Sequence, residues 1–173
     1  MILGIFSDIH DYINNLNKAL EVFKQHKVEH AFFCGDLVSP FILKFLQDWP
    51  FAIKAVFGNN EGDKWGIRGY LEKNAVTNIE YPDREIFWDG EIEGVKVAVF
   101  HGHSPKITQN LLDAANYDLV LTGHTHEPHI KKVKQTIWIN PGSVAGVSEN
   151  PDVKVGTVAV FDTETRESKI IKL

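Results

Sequence analysis

Five short apolar runs along the chain each stop at polar side chains that carry free lone pairs. Ile2-Leu3-Gly4-Ile5-Phe6 leads into Ser7-Asp8-Ile9-His10, and Ala31-Phe32-Phe33-Cys34 into Gly35-Asp36. Residues 52–57 lead into Gly58-Asn59, residues 95–100 into His101-Gly102-His103, and residues 118–121 into Gly123-His124-Thr125-His126. Runs this short are too brief for helices and read as strands buried on both faces. Between the first two, Ile13, Leu16, Leu20 and Phe23 recur at helical spacing, with Asp11 as the expected N-cap. A second helix is expected after Ser39-Pro40, with Phe41, Phe45 and Leu46 facing inward. The βαβαβ start implies a parallel sheet under covering helices, and strand ends in such a sheet converge at one edge, where ligands bind.

The second half is richer in strands. Residues 86–88, 95–100, 118–121, 130–133, 137–139, 155–161 and 168–171 read as strands, the last four as a mostly antiparallel set, and residues 107–115 as a short helix. No linker, repeat or low-complexity stretch interrupts the chain. Its 173 residues suit one mixed α/β domain, 1–173, with two sheets. A net charge of −5 disfavours nucleic acid and anionic membrane as partners. One cysteine, Cys34, excludes an intrachain disulfide and a cysteine-only zinc site, and reads as a small buried hydrophobe. With no targeting segment and no apolar stretch of membrane-spanning length, a cytoplasmic location is expected.

The strand ends therefore offer carboxylate, carboxamide and imidazole to one small volume. Alternation along a strand lets Asp8 and His10 share a direction, and likewise His124 and His126. Oxygen and imidazole donors without thiolate suit Mn²⁺, Fe, Co²⁺, Ni²⁺ or Zn²⁺ rather than Ca²⁺. Seven candidates, Asp8, His10, Asp36, Asn59, His101, His124 and His126, exceed one tetrahedral ion and match two ions sharing a carboxylate. Such paired ions clamp phosphoryl oxygens and lower the pKa of a bridging water, so phosphoester hydrolysis is the reaction they serve best.

In this order, Asp8-x-His10, Gly35-Asp36, Gly58-Asn59, His101-Gly102-His103 and Gly123-His124-Thr125-His126 resemble the calcineurin-like metallophosphoesterase signature, with Asn140-Pro141-Gly142-Ser143 as its closing turn. The compact length is similar to the small bacterial and archaeal phosphodiesterase branch. The resemblance implies a four-layer α-β-β-α sandwich of two packed mixed sheets. It implies a first ion on Asp8, His10 and His126, and a second on Asn59, His101 and His124, with Asp36 bridging both. A metal-bridging hydroxide would attack phosphorus in a small-molecule phosphoester, with Mn²⁺ the favoured ion and Ni, Co, Fe or Zn as alternatives.

At one position the chain departs from the family pattern. Where many members carry a histidine that serves the leaving group, this chain has Asn60, which donates hydrogen bonds but is no general acid near neutral pH. Asn60 is then expected to contact substrate, with diesters of good leaving group favoured or the proton drawn from His103 or a metal-bound water. For His103, a substrate contact, an orienting contact to His101 and a plain surface position stand open. Glu61 and Asp63 read either as orienting groups or as a solvated acidic loop. A protein-interaction scaffold similar to a retromer subunit, a phosphomonoesterase and a nuclease are the competing functions, and a homo-oligomer is left open.

Overall fold

The computed structural model describes residues 1–83, 85–147 and 155–173. Eleven strands among the described residues form two sheets. In the first, β1 (Ile2–Phe6), β2 (His30–Phe33), β3 (Ala52–Ala55) and β4 (Ile79–Glu80) run parallel. The antiparallel strands β10 (Thr157–Asp162) and β11 (Ser168–Lys172) extend it beside β1. In the second, β6 (Val95–Phe100), β7 (Leu119–Leu121) and β9 (Thr136–Asn140) are parallel. Its edges, β5 (Phe87–Ile92) and β8 (His129–Val133), are antiparallel.

Period-two alternation assigns each strand residue to a layer. Leu3, Ile5, Phe32, Cys34, Val97, Val99, Leu119, Leu121, Ala159 and Phe161 fill the space between the sheets. Phe6, Ala31, Phe33, Ile53 and Ala55 face the other way, onto the helices α1 (Ile13–Gln25), α2 (Leu43–Leu46) and α3 (Lys64–Lys73). Gly4 shares that helix-facing side, where a Cβ would stand 3.0 Å from Val28 and 3.1 Å from the Phe23 ring. On the far side of the second sheet, Ala98 and Val120 receive Leu112 of α4 (Pro105–Ala114). The four layers are helix, sheet, sheet and helix, as expected.

Several local expectations are corrected. Asp11 does not cap α1; Tyr12 holds that position without a side-chain bond, while the Asp11 carboxylate accepts from the Ser39 N–H and hydroxyl. After Ser39 the chain forms a 3-10 turn, Pro40–Ile42, before α2. That tighter winding buries Ile42, Leu43 and Leu46 and leaves Phe41 exposed. Helix α3 has no counterpart among the expected elements; it starts where Asp63 accepts the Gly66 N–H. The last four strands do pair antiparallel as expected, β8 with β9 in the second sheet and β10 with β11 in the first.

Candidate metal centre

The carboxyl ends of β1, β2 and β3 from one sheet meet those of β6 and β7 from the other. Backbone bonds hold the turns together: Asp8 N–H donates to the Gly35 carbonyl (2.9 Å), Ile9 N–H to Asp36 (3.0 Å), and Gly123 N–H to His101 (2.8 Å). The His124 N–H crosses between the sheets to Asp8 Oδ2 (3.0 Å). Two glycines make room for the carboxylates. A Cβ on Gly58 would lie 2.0 Å from Asp36 Oδ1, and one on Gly123 would lie 2.6 Å from Asp8 Oδ2.

Strand alternation is not what aims the side chains. β1 ends at Phe6, and Asp8, His10, Asp36, His124 and His126 all have positive φ, between 44° and 69°. This left-handed region is sparse for residues with a side chain, costing roughly 1–3 kcal/mol each, and it clusters at functional sites. The turns bring Asp8 and His10 together but separate His124 from His126.

Two groups of ligand atoms result, Asp8 with His10 and His126, and Asp8 with Asp36 and His101, the atoms of each within 4.8 Å of one another. In the first, His126 Nε2 stands 3.1 Å from Asp8 Oδ1 and 3.2 Å from His10 Nε2, which lies 3.8 Å from the same oxygen. Asp36 reaches both histidine sets, with Oδ2 3.7 Å from His10 Nε2 and Oδ1 3.3 Å from His101 Nε2. The His124 ring lies 5.2 Å from that of His101, outside both groups, and Asn59 is exposed at the turn after β3. His103 stands beside them, its ring 5.8 Å from His101 and 6.4 Å from His124.

Asn60 turns toward protein as well as toward solvent. Its N–H donates to Asp36 Oδ1 (2.8 Å) and its Nδ2 to Oδ2 (2.9 Å). It also lines a cleft of about 470 Å³ with His124, Thr125, His126 and Glu127. The turn after β9 is a brace: Asn140 Nδ2 donates to the Gly123 carbonyl (2.7 Å), and the Ser143 hydroxyl to the Asp8 carbonyl (2.9 Å). The signal for these braces was the Asn-Pro-Gly-Ser turn itself. Trp65, at 86% exposure, stands in solvent on α3.

The donor set fits a cation. The Nδ1 of His101 donates to the Cys34 carbonyl (2.7 Å) and the Nδ1 of His126 to the Val147 carbonyl. A carbonyl only accepts, so in each neutral ring Nε2 is left as a lone pair facing carboxylates. His101 Nε2 is buried with no hydrogen-bond partner. A lone pair aimed at carboxylates calls for a proton or a metal ion between them.

The titration directions say the same. Burial works to raise the Asp8 carboxyl, but His10 and His126 hold it well below the usual range. Asp36 is likewise lowered, with burial overcome by His101 and Asn60. Burial works against a charged His101, yet Asp36 and Asp8 raise it; His126 is raised first by its bond to Asp8. Burial and the charge of His101 lower both His103 and His124. Burial pushes the Cys34 thiol well up, as suits an inert core residue.

Residues 1–166 match the calcineurin-like phosphoesterase superfamily domain. The chain is 34% identical over 173 residues to phosphodiesterase MJ0936 of Methanocaldococcus jannaschii, covering 100% of this chain and 99% of the relative. A solved archaeal phosphodiesterase superposes with a TM-score of 0.86 at 33% identity over 100% of both chains. Vps29 of Entamoeba histolytica shares the fold, with a TM-score of 0.67 at 15% identity, covering 100% of this chain and 99% of that one. With the signature spread over five strand ends and a family match along nearly its whole length, the chain belongs to the calcineurin-like phosphoesterase superfamily and is a phosphoric ester hydrolase.

Proposed function

We propose that the protein is a dinuclear metal-dependent phosphodiesterase acting on a small-molecule phosphoester, with residues 1–173 working as one domain. The observation that carries the reading is the pair of buried-side lone pairs, His101 Nε2 and His126 Nε2, aimed at Asp36 and Asp8. Asp8, His10 and His126 would hold the first ion. Asn59, His101 and His124 would hold the second, with Asp36 bridging, a role supported by its approach to one histidine of each set. Mn²⁺ suits this mixture of carboxylate, carboxamide and imidazole. Two such ions supply a hydroxide nucleophile at neutral pH and offset charge on the phosphoryl oxygens.

The chain's own residues set the substrate side. Asn60 uses one amide hydrogen on Asp36 and has a second for a phosphate oxygen at the cleft. His103, held toward its neutral form, keeps one ring N–H for the leaving oxygen. Neither stores a proton well at neutral pH, which favours diesters with good leaving groups.

The test is a matched rate assay on chelator-stripped protein, with and without Mn²⁺, on an aryl phosphodiester and the corresponding monoester. Diester turnover that needs metal and disappears in Asp36→Asn is expected. Folded protein that turns over neither ester with any divalent ion would replace this reading with an interaction scaffold on the same fold.

A further inference from the structure

The Glu61 carboxylate accepts from four backbone N–H groups. Oε1 takes those of Asp36 (2.9 Å), Leu37 (3.2 Å) and Gly58 (3.1 Å); Oε2 takes those of Leu37 (3.1 Å) and Val38 (3.0 Å). Three of these groups belong to the turn after β2 and one to the turn after β3. The β2 turn is conformationally costly, with φ of 62° at Asp36 and 80° at Val38, a branched residue that seldom adopts it. Successive N–H groups in such a turn form a concave cradle for an anion, and here the chain supplies its own. The Gly62 N–H returns a bond to the Val38 carbonyl (3.1 Å). Asn60 meanwhile grips both oxygens of the Asp36 carboxylate, so residues 60 and 61 hold Asp36 by side chain and by backbone.

We infer that Glu61 is a positioning residue whose carboxylate clamps the turn carrying Asp36 to the turn carrying Asn59, and so completes the second ion position. The inference rests on the dinuclear reading. Both oxygens of Glu61 are taken up by amides, so it acts through Asp36 and Asn59 rather than as a ligand. Glutamine cannot replace it, because an NH₂ group would face N–H donors in place of one acceptor oxygen.

The experiment has an arm that needs no metal. In stripped wild-type protein, the amides of Asp36, Leu37, Val38 and Gly58 are expected to exchange slowly, although none lies in a helix or strand. Mn²⁺ titration by calorimetry should then show two ions on the wild type. Glu61→Gln should weaken the second by about 10–100-fold, in the range for groups that orient metal ligands. The first, which shares only Asp36 with the clamped turns, should weaken by a clearly smaller factor. Glu61→Asp, which keeps the carboxylate, should recover part of the loss. Asp63→Asn, which removes a neighbouring loop charge but keeps a capping side chain, should leave both ions within about twofold. Fast exchange of the four wild-type amides would overturn the clamp even if Glu61→Gln did not fold. So would a Glu61→Gln protein that binds both ions normally, or loses both equally. Wild-type protein that binds fewer than two ions overturns the dinuclear reading itself, a result distinct from a loss confined to the variant.

Discussion

Asp8, His10 and His126 already stand in mutual contact, whereas His101 is buried with its Nε2 unpaired and its proposed partners His124 and Asn59 are exposed. The first trio is assembled by bonds within protein: Asp8 is held by the His124 N–H, and His126 by the Val147 carbonyl. The second set depends on turns from β3, β6 and β7 meeting at the open cleft. Preorganised ligands bind an ion without first losing side-chain freedom, while exposed ones are ordered at the moment of binding. The first position should therefore hold its ion tightly, and the second should exchange it and face substrate.

The most severe test removes what joins the two halves. Asp36→Asn keeps the shape but removes the charge of the proposed bridge, and diester turnover should fall on the order of 10³-fold, since paired ions contribute several kcal/mol to the transition state. Calorimetry on the same protein should show the second ion lost before the first. Near-normal rates would mean that the halves do not work as a unit.

Single-histidine variants separate the halves. His126→Ala should weaken the first ion on the order of 100-fold, because it removes a ligand already oriented by the Val147 carbonyl. His124→Ala should weaken the second by only about tenfold, since an exposed ring contributes less preorganisation. Equal losses would erase the asymmetry.

Proton competition gives a milder effect. His101 and His126 have raised values in the metal-free protein. Their contribution to its stability is present below the unfolded value of about 6.5 and is lost as pH rises through the folded values. His103 and His124, lowered, act with the opposite sign. Ions at the centre need neutral His101 and His126 and so release their protons. The gap in Tm between Mn²⁺-loaded and stripped protein should widen by several degrees between about pH 6 and pH 8. A constant gap would place the ions elsewhere.

How much of this was legible in the sequence differs between core and site. Runs such as Ile2–Phe6 and Val95–Phe100 announce buried strands because two-sided burial demands continuous apolarity. The side chains proposed as ligands could be singled out by type and order, but their aim could not. Asp8 and His10 share a direction through left-handed turns, a backbone property that no alternation encodes. Helix α3 was hidden because Gly66 and Gly69 weaken its pattern and only Ile67 is buried on it. Glu61 was undecidable in one dimension, since its four partners are backbone N–H groups, which every residue type except proline carries.

The finest distinction concerns the leaving group, and Asn60→His probes it. Asn60 donates to both Asp36 oxygens, once from its backbone and once from Nδ2. Histidine at this position keeps the backbone bond, gives up the Nδ2 bond, and introduces a group that titrates near neutrality. A well-placed general acid is worth about 10²–10⁴-fold, but only where the leaving oxygen needs a proton. The variant's gain should be smaller, because loosening Asp36 works against it. The ratio of rates on poor and good leaving groups should rise by about tenfold or less, with the good-leaving-group rate slightly reduced. A ratio that stays flat while metal affinity is unchanged would show that the proton reaches the leaving oxygen by a route that residue 60 does not touch, and His103→Ala would then separate a route through His103, which loses the poor-leaving-group rate, from one through a metal-bound water, which keeps it.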